Sequence, residues 1–140
     1  MAKTIEKQKE NFITATGRRK TAVARVFFKL EKGDFTINDQ NVSTYFSNEI
    51  DTLNWLKPFH AVGVSHPSAQ YSGTIKVQGS GKSAQMGAVI HAISRALAKT
   101  NEEFAKILRK QGLLTRDPRM VERKKYFLRK ARKAPQYSKR

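Results

Sequence analysis

The sequence predicts an α+β fold, in which helices pack on a small β-sheet and a long basic tail leaves the domain. Three observations lead to this prediction. Short segments alternate apolar and polar residues, longer segments carry apolar residues at helical spacing, and residues 116–140 combine high positive charge with few apolar side chains. A chain of 140 residues suits one domain with one core, and a second full domain would be hard to accommodate.

Two adjacent strands are predicted near the amino terminus. The segment "FITATG" precedes "RKTAVARVFFKL", in which Ala22, Ala24, Val26 and Phe28 fall on one face of an extended chain. Gly17 and the basic residues after it should form the turn between the two strands. Further strands are expected at "DFTIN" and "YSGTIKVQ", where apolar and polar residues alternate again.

Helices are predicted where apolar residues recur every three or four positions. In "EIDTLNWLKPF" this spacing indicates a helix that Pro58 should end. The helix after the glycine-rich stretch carries an apolar stripe at Met86, Ile90, Ile93 and Leu97. The last helix, "NEEFAKILRKQG", should begin after the capping residue Asn101 and stop at Gly112.

The charge of the chain predicts a polyanionic partner. Lysine and arginine number 28 against 11 aspartate and glutamate, which gives a formal net charge of +17. Residues 31–94 are nearly neutral, whereas residues 116–140 hold eleven basic residues and two acidic ones. A second basic cluster is "GRRK" at residues 17–20. A compact monomer would have to bear this self-repulsion unless a polyanion screened it.

The residue types present argue against several other classes of protein. There is no cysteine, and His60, His66 and His91 are too far apart for a ligand pair at helical spacing, so neither a disulfide framework nor a metal or other cofactor is expected. No apolar run approaches the roughly 20 residues of a membrane span, and the first residues do not form a secretory signal. We therefore expect a soluble intracellular protein.

The stretch "VQGSGKSAQ" is similar to a nucleotide-binding loop but lacks one of its residues. That loop needs a glycine five positions before the glycine that precedes its lysine, and Lys76 stands there. A plain alternative is a strand-to-helix turn. A third interpretation is a helix amino terminus that, with Lys82, binds a backbone phosphate of RNA or DNA. No combination of nucleophile, base and orienting acid is evident, so no catalytic residues are predicted.

Three long segments together resemble one known family. They are "TGRRKTAVARVFF", "GSGKSAQMGAVIHAISRAL" and "LLTRDPRMVERKKYFLRKARKAPQYSKR", and in this order they resemble the ninth family of small-subunit ribosomal proteins, in its bacterial or organellar form. The resemblance runs from about Thr16 to Arg140. The departures are Ser80, Ala84 and Ala92, which stand where glycine is common, and Ile90, which stands where a basic residue is expected.

The resemblance implies a particular architecture and role. The fold would be a four-stranded sheet with helices on one face and a left-handed crossover, a topology shared with the second domain of ribosomal protein S five. The expected division of the chain is a flexible extension at residues 1–11, a globular domain at 12–112 and an extended tail at 113–140 that penetrates RNA. The protein would be a structural constituent of the head of the small subunit, in cytoplasmic or organellar ribosomes, and not an enzyme.

The expected partners are ribosomal RNA, peptidyl-site tRNA and neighbouring proteins of the head, without a membrane and without homo-oligomerisation. Arginine forks two hydrogen bonds onto a phosphate and lysine acts as a point charge. The positions expected to contact ribosomal RNA are Arg18, Arg19, Lys20, Arg25, Lys82, Arg95, Arg116, Arg119, Arg123, Lys124, Lys125, Arg129, Lys130, Arg132 and Lys133. The resemblance places tRNA contacts at Ser138, Lys139 and Arg140. Tyr126, Phe127 and Tyr137 suit either stacking on bases or anchoring against protein.

Two alternatives from other classes remain at this point. A DNA-compacting protein would use the same charge, although no recognition helix or dimer signature is evident. A nucleotide hydrolase would depend on the incomplete loop around Lys82.

Overall fold

The domain is built from five strands and five α-helices within residues 12–139, the part of the chain that the computed structural model describes. The predicted extension at residues 1–11 and the last residue, Arg140, lie outside the described residues. In chain order the elements are β1 (Ile13–Arg19), β2 (Ala22–Lys29), β3 (Phe35–Ile37), β4 (Gln40–Asn41), α1 (Val42–Tyr45), α2 (Glu49–Asn54), α3 (Lys57–Ala61), β5 (Ser72–Gln78), α4 (Lys82–Thr100) and α5 (Glu102–Lys110).

The strands form one sheet in the order β1-β2-β5-β3-β4. The β1/β2 and β2/β5 pairs are antiparallel, and β3 runs parallel to β5. Four strands were expected and five are present, because Asn38 and Asp39 both adopt positive φ and turn the chain back into the two-residue strand β4. Such a pair of left-handed residues is what a tight hairpin turn requires. The left-handed sense of the connection from β3 to β5 stays a prediction.

Helices pack on the sheet, as the α+β prediction from the sequence requires. In β2 the predicted apolar face is buried, with Phe28 and Val26 almost fully excluded from solvent. Helix α4 packs across β1 and β2 on that face, and Phe59 of α3 stacks on Phe28 with ring centroids 6.4 Å apart. The opposite face, which carries Arg25 and Lys76, is therefore open.

The turn between β1 and β2 lies later in the chain than the sequence predicts. Gly17, Arg18 and Arg19 all belong to β1, and the turn is formed by Lys20 and Thr21, with Lys20 at φ +50°. Gly17 serves close packing instead of turning, because a side chain there would overlap the backbone of α4 at Ala88. The strands are paired as far as Arg19, so Arg18 and Arg19 lie on a hydrogen-bonded hairpin and not in an irregular loop.

The helical segment before β5 also differs from the prediction. Pro58 does not end a helix; α2 ends at Asn54, and Pro58 occupies the first turn of α3, where a missing N–H costs little. Ile50 and Leu53, whose spacing contributed to the prediction of a helix, are 74% and 65% exposed. The short helices are too brief to hold a continuous apolar stripe against the sheet.

The prediction for the last helix is confirmed. The Asn101 side chain accepts a hydrogen bond from the Glu103 backbone N–H at 3.0 Å, and Gly112 follows the helix at φ +73°. Residues 113–139 contain neither helix nor strand. Leu113 and Leu114 pack partly against the core, so the chain stays on the domain for a short distance beyond α5.

Candidate nucleic-acid interface

Four of the arginines predicted to bind RNA line one concave cavity. The cavity has a volume of about 340 Å³ and lies between the β1–β2 hairpin, helix α4 and the start of the tail. Its lining residues are Thr16, Arg18, Val23, Arg25, His91, Arg95 and Arg116. No aspartate or glutamate is among them, so the cavity is a concentrated positive site.

The alternation of side chains along the strands positions the first two arginines. Arg18 and Arg25 lie on the open face because Ala24, Val26 and the glycine at 17 occupy the buried one. The register sets Arg25 directly opposite Lys76 of β5, and like charges in that position repel each other. Within residues 12–139, the side chains of Arg18, Arg25 and Lys76 make no ion pair. An anion on this face would relieve the repulsion.

A second cavity continues along the open face of the sheet. It has a volume of about 360 Å³, and its lining includes Arg25, Lys76, Thr74 and Gln78. Asp39, from the turn between β3 and β4, is the one acid among its lining residues. Arg25 borders both cavities, so the positive surface extends from the edge of the sheet towards its centre.

Two basic side chains of α4 are partly engaged with the edge of the sheet. Arg95 Nη1 donates to the Thr16 carbonyl oxygen at 2.6 Å, and Lys99 Nζ donates to the Thr14 carbonyl oxygen at 2.6 Å. Both bonds satisfy backbone carbonyl groups on the unpaired side of the edge strand β1. Unsatisfied groups there could pair with a strand of another chain. The guanidinium of Arg95 has further N–H donors and lines the cavity with them.

His91 joins the hairpin to the start of the tail. The Arg18 backbone N–H donates to His91 Nδ1 at 3.3 Å, and His91 Nε2 lies 3.2 Å from the Leu114 carbonyl oxygen. Since Nδ1 accepts a hydrogen bond and a carbonyl can only accept, the proton belongs on Nε2 and the ring is neutral. Burial lowers the pKa of His91 below its ordinary value of 6.5, the charges of Arg95 and Arg116 lower it further, and the Leu114 carbonyl opposes them.

We expect acid to weaken this junction. A histidine whose pKa is lowered by folding binds fewer protons in the folded chain than in the unfolded one, so stability falls as pH drops below about 6.5 and the loss is complete below the lowered pKa. NMR titration of the His91 ring and urea unfolding from pH 7 to pH 5 would measure both effects. The variant His91→Gln should lose that part of the pH dependence, and an unchanged dependence would contradict the assignment.

Asp117 holds the beginning of the tail against the hairpin. One of its carboxylate oxygens bonds to Arg19, whose side chain lies over Gly87 of α4, and to Arg119 Nη2 at 2.7 Å. Hydrogen bonds from Arg119, and then the charges of Arg119 and Arg19, hold the pKa of the Asp117 carboxyl well below its usual range. Arg116 Nη2 also reaches the Lys20 carbonyl oxygen, at 3.4 Å. The tail therefore leaves the domain beside the basic cavity.

The glycine-rich stretch is a strand-to-helix turn. Gly79 adopts φ +84°, and a side chain there would lie 2.5 Å from the Thr21 carbonyl oxygen. Lys82, the first residue of α4, donates to the Tyr45 carbonyl oxygen at 3.3 Å and lies over the Tyr45 ring. Lys82 is therefore not among the residues that line the arginine cavity. Gly79 permits the close approach of β5 and the β1–β2 hairpin.

The remaining predicted residues of the tail fall into two groups. Arg119, Lys125 and Arg132 bond to the two acids of the tail, Asp117 and Glu122. Exposed residues make up the other group, which consists of Arg123, Lys124, Arg129, Lys130, Lys133, Ser138 and Lys139.

Sequence reasoning missed three residues that shape the site. Lys76 falls on the polar side of the alternation in "YSGTIKVQ", but only the register puts it opposite Arg25. The sequence assigns no binding role to His91, yet its two hydrogen bonds join segments that are 73 and 23 residues away. Asp117 had a signal that could have been used, since an acid in a dense basic run needs a partner.

Within residues 12–139, every helix is too short or too polar to span a lipid bilayer. That same stretch has no group of three or more histidine, cysteine, aspartate or glutamate residues arranged to hold a metal ion.

Comparison with known proteins gives a consistent result. The family model described as ribosomal protein S9/S16 matches residues 17–140. The chain is 49% identical over 126 residues to the small ribosomal subunit protein uS9 of Rickettsia africae (strain ESF-5), which covers 90% of this chain and 77% of that protein. It is 46% identical over 140 residues to the uS9 protein of Rickettsia conorii (strain ATCC VR-613 / Malish 7), covering 99% of this chain and 86% of the relative. The corresponding protein of Rickettsia canadensis (strain McKiel) is 48% identical over 126 residues, covering 90% and 76%.

Proposed function

The chain belongs to the ribosomal protein S9/S16 family, and from this premise we propose that its basic hairpin, its arginine cavity and its tail bind ribosomal RNA in the head of the small subunit. As a ribosomal protein of the small subunit it is a component of a ribonucleoprotein, takes part in translation and binds ribosomal RNA. The relatives are named as ribosomal proteins and not as enzymes, which agrees with a structural role.

The observation that carries the proposal is the convergence of Arg18, Arg25, Arg95 and Arg116 on one cavity without an acid in its lining. These residues come from two strands, a helix and the tail, so the positive charge there is not a by-product of one basic run. Gathering four guanidinium groups costs free energy that a bound phosphate recovers, and guanidinium groups bind phosphate oxygens in pairs. The cavity is therefore suited to a backbone phosphate of folded RNA.

The division of the chain supports the same proposal. Residues 12–112 supply the buried core, and residues 113–140 supply basic side chains with little apolar area to bury. An extended segment reaches between RNA helices that a folded domain cannot enter, at about 3.3 Å for each residue. Arg116 lines the cavity, so the tail would begin at the proposed RNA-binding surface of the domain.

Substitution of two cavity arginines tests this role. We expect Arg25→Ala and Arg116→Ala each to weaken binding of small-subunit ribosomal RNA by about tenfold, because each removes a charged hydrogen-bond donor. Each should also reduce the slope of log affinity against log salt by about 1. Filter binding between low and physiological salt measures both quantities. Lys106→Ala, on the exposed surface of α5, removes the same charge away from the cavity and should change neither.

If the cavity variants behave like the Lys106 control, the cavity does not bind RNA. Equal loss of affinity for duplex DNA and structured RNA at matched salt would favour a general nucleic-acid binder instead.

A second contact is proposed for the end of the tail, where Ser138, Lys139 and Arg140 would touch peptidyl-site tRNA. Ser138 and Lys139 lie at the exposed far end of a tail whose beginning is held on the domain by Asp117. While the rest of the tail binds ribosomal RNA, a short cationic terminus at its end is suited to bind a backbone phosphate of a neighbouring tRNA.

Removal of Lys139 and Arg140 should separate the two partners. We expect subunit assembly to be nearly unchanged, because two residues add little to a broad RNA footprint, and peptidyl-site tRNA binding to weaken by about tenfold through lost phosphate contacts. The double substitution Lys130→Gln and Lys133→Gln removes the same charge earlier in the tail and should affect ribosomal RNA more than tRNA. Equal tRNA affinity of subunits with truncated and full-length protein would refute the contact.

A further inference from the structure

The tail folds back on itself between Glu122 and Lys133, a segment called here the Glu122 loop. The Arg129 backbone N–H donates to the Lys133 carbonyl oxygen at 2.8 Å, and Lys125 Nζ donates to the Ala131 carbonyl oxygen at 3.3 Å. The Glu122 carboxylate joins both sides, since one oxygen bonds to Lys125 and the other to Arg132 Nε at 2.9 Å. The tail is therefore not uniformly extended in this region.

Two aromatic side chains project from the tip of the Glu122 loop. Tyr126 and Phe127 are 82% and 89% exposed, and their rings touch edge to face with centroids 5.4 Å apart. Among the described residues neither ring packs against the core. The second role expected for these residues was anchoring against protein, and this exposure disfavours anchoring against the chain's own domain.

The backbone at Phe127 carries strain that local packing does not explain. Its φ of +59° is left-handed, a region that bulky residues rarely adopt because it is strained. Among the described residues, the Phe127 ring contacts Tyr126, which is itself exposed. Backbone strain of this kind clusters at functional contacts, so we expect the compensation to come from a partner outside the chain.

The charges around the rings identify the kind of partner. Exposed basic residues precede and follow the two rings in the chain, and they are Arg123, Lys124, Arg129, Lys130 and Lys133. The loop's acid, Glu122, is already engaged by two cations. A surface of open cations around flat aromatic rings complements a single-stranded nucleic acid, in which phosphates meet the charges and unpaired bases stack on the rings.

We propose that the Glu122 loop is a preformed stacking platform, on which Tyr126 and Phe127 take up unpaired bases of ribosomal RNA. This inference rests on the proposed function and adds to it a non-ionic contact at a defined place in the tail. Glu122 is a positioning residue in this arrangement, because it draws Lys125 and Arg132 together and so shapes the tip. A loop that is already closed loses less conformational entropy on binding than an extended tail does.

Substitutions that keep apolar volume but remove the rings test the stacking. The full chain with Tyr126→Leu and Phe127→Leu should bind small-subunit ribosomal RNA about tenfold more weakly, with an unchanged salt slope, because stacking releases no counterions. The matched variant with Tyr126→Trp and Phe127→Tyr keeps both rings and should bind within about twofold of the original chain. Wild-type affinity of the leucine variant would overturn the proposal.

Ultraviolet cross-linking of assembled subunits identifies the partner directly. Trypsin releases residues 126–129 as one peptide, since Lys125 and Arg129 flank the two rings. We expect mass spectrometry to find a nucleotide adduct on that peptide. A cross-link to a neighbouring protein, with normal binding of the leucine variant to protein-free RNA, would show a protein contact instead and refute the stacking platform.

Glu122→Gln gives a test in which two explanations predict opposite signs. If the tail bound RNA by charge alone, loss of a negative charge would tighten binding. If Glu122 shapes the loop, the same change should weaken binding by about threefold or more, even though the tail has lost a negative charge. Glu31→Gln, at an exposed position before β3, makes the same charge change far from the tail and reports the electrostatic effect by itself.

The results also separate this inference from the function on which it rests. If the unaltered chain bound ribosomal RNA without salt dependence, the proposed function would fail. If the unaltered chain binds with a steep salt dependence and tightens with Glu122→Gln as much as with Glu31→Gln, only the role of the Glu122 loop is wrong.

Discussion

Replacement of Gly17 by alanine is expected to destabilise the domain by about 3 kcal/mol, the upper part of the usual range for overpacking. An added Cβ would overlap the Ala88 carbonyl oxygen and the Ala92 backbone nitrogen, and it would lie 2.9 Å from Ala92 Cα. These atoms belong to the backbone of α4, which cannot move aside as a flexible side chain can. The hairpin and the helix would have to separate, and the core between them would open.

Thermal or urea unfolding of the Gly17→Ala variant measures this effect, with a fall in Tm on the order of 10 °C. Gly81→Ala is the control, since a Cβ at that position meets no atom within 4 Å. It should cost no more than the modest loss of a glycine at a helix amino terminus. Similar stability of the two variants would mean that β1 and α4 do not approach as closely as described.

Removal of the tail after Asp117 is expected to leave the domain folded and to weaken ribosomal RNA binding by at least roughly a thousandfold at physiological salt. The deleted residues include ten lysines and arginines against one acid, Glu122. The buried core ends before them at Leu108, and the partly buried Leu113 and Leu114 are kept. The free energy of unfolding should therefore change little, while most of the counterion release is lost.

A chain with residues 118–140 shuffled provides the control for charge. It should recover the steep salt dependence, because that depends on the number of cations, but not the full affinity, because the Glu122 loop would be missing. Circular dichroism of the truncated chain checks that the domain is intact. Wild-type affinity of the truncated protein would contradict the division of the chain into a core and an RNA-binding tail.

Four of the five strands and the last two helices could be predicted from local pattern, whereas the two-residue strand β4 was missed. In β2 and β5 every second residue is apolar, and in α5 a capping asparagine and a terminal glycine mark both ends. The prediction was wrong where local and tertiary demands differ. Gly17 has the sequence signal of a turn residue, but it lies in a strand because α4 needs the space that a side chain would fill.

The buried faces of β2 and β5 could be derived from the sequence, because burial in a strand follows the apolar period, whereas Ile50 and Leu53 show that the period misled in the short helices. The polyanionic partner could also be derived from the sequence, because a net charge of +17 needs an anion to screen it. Only the tertiary structure decided which charges act together. Strand register and helix packing bring together Arg18, Arg25, Arg95 and Arg116. The first and the last of these arginines are 98 positions apart in the chain. Contacts between distant residues depend on how elements are stacked in space, and no local pattern records that geometry.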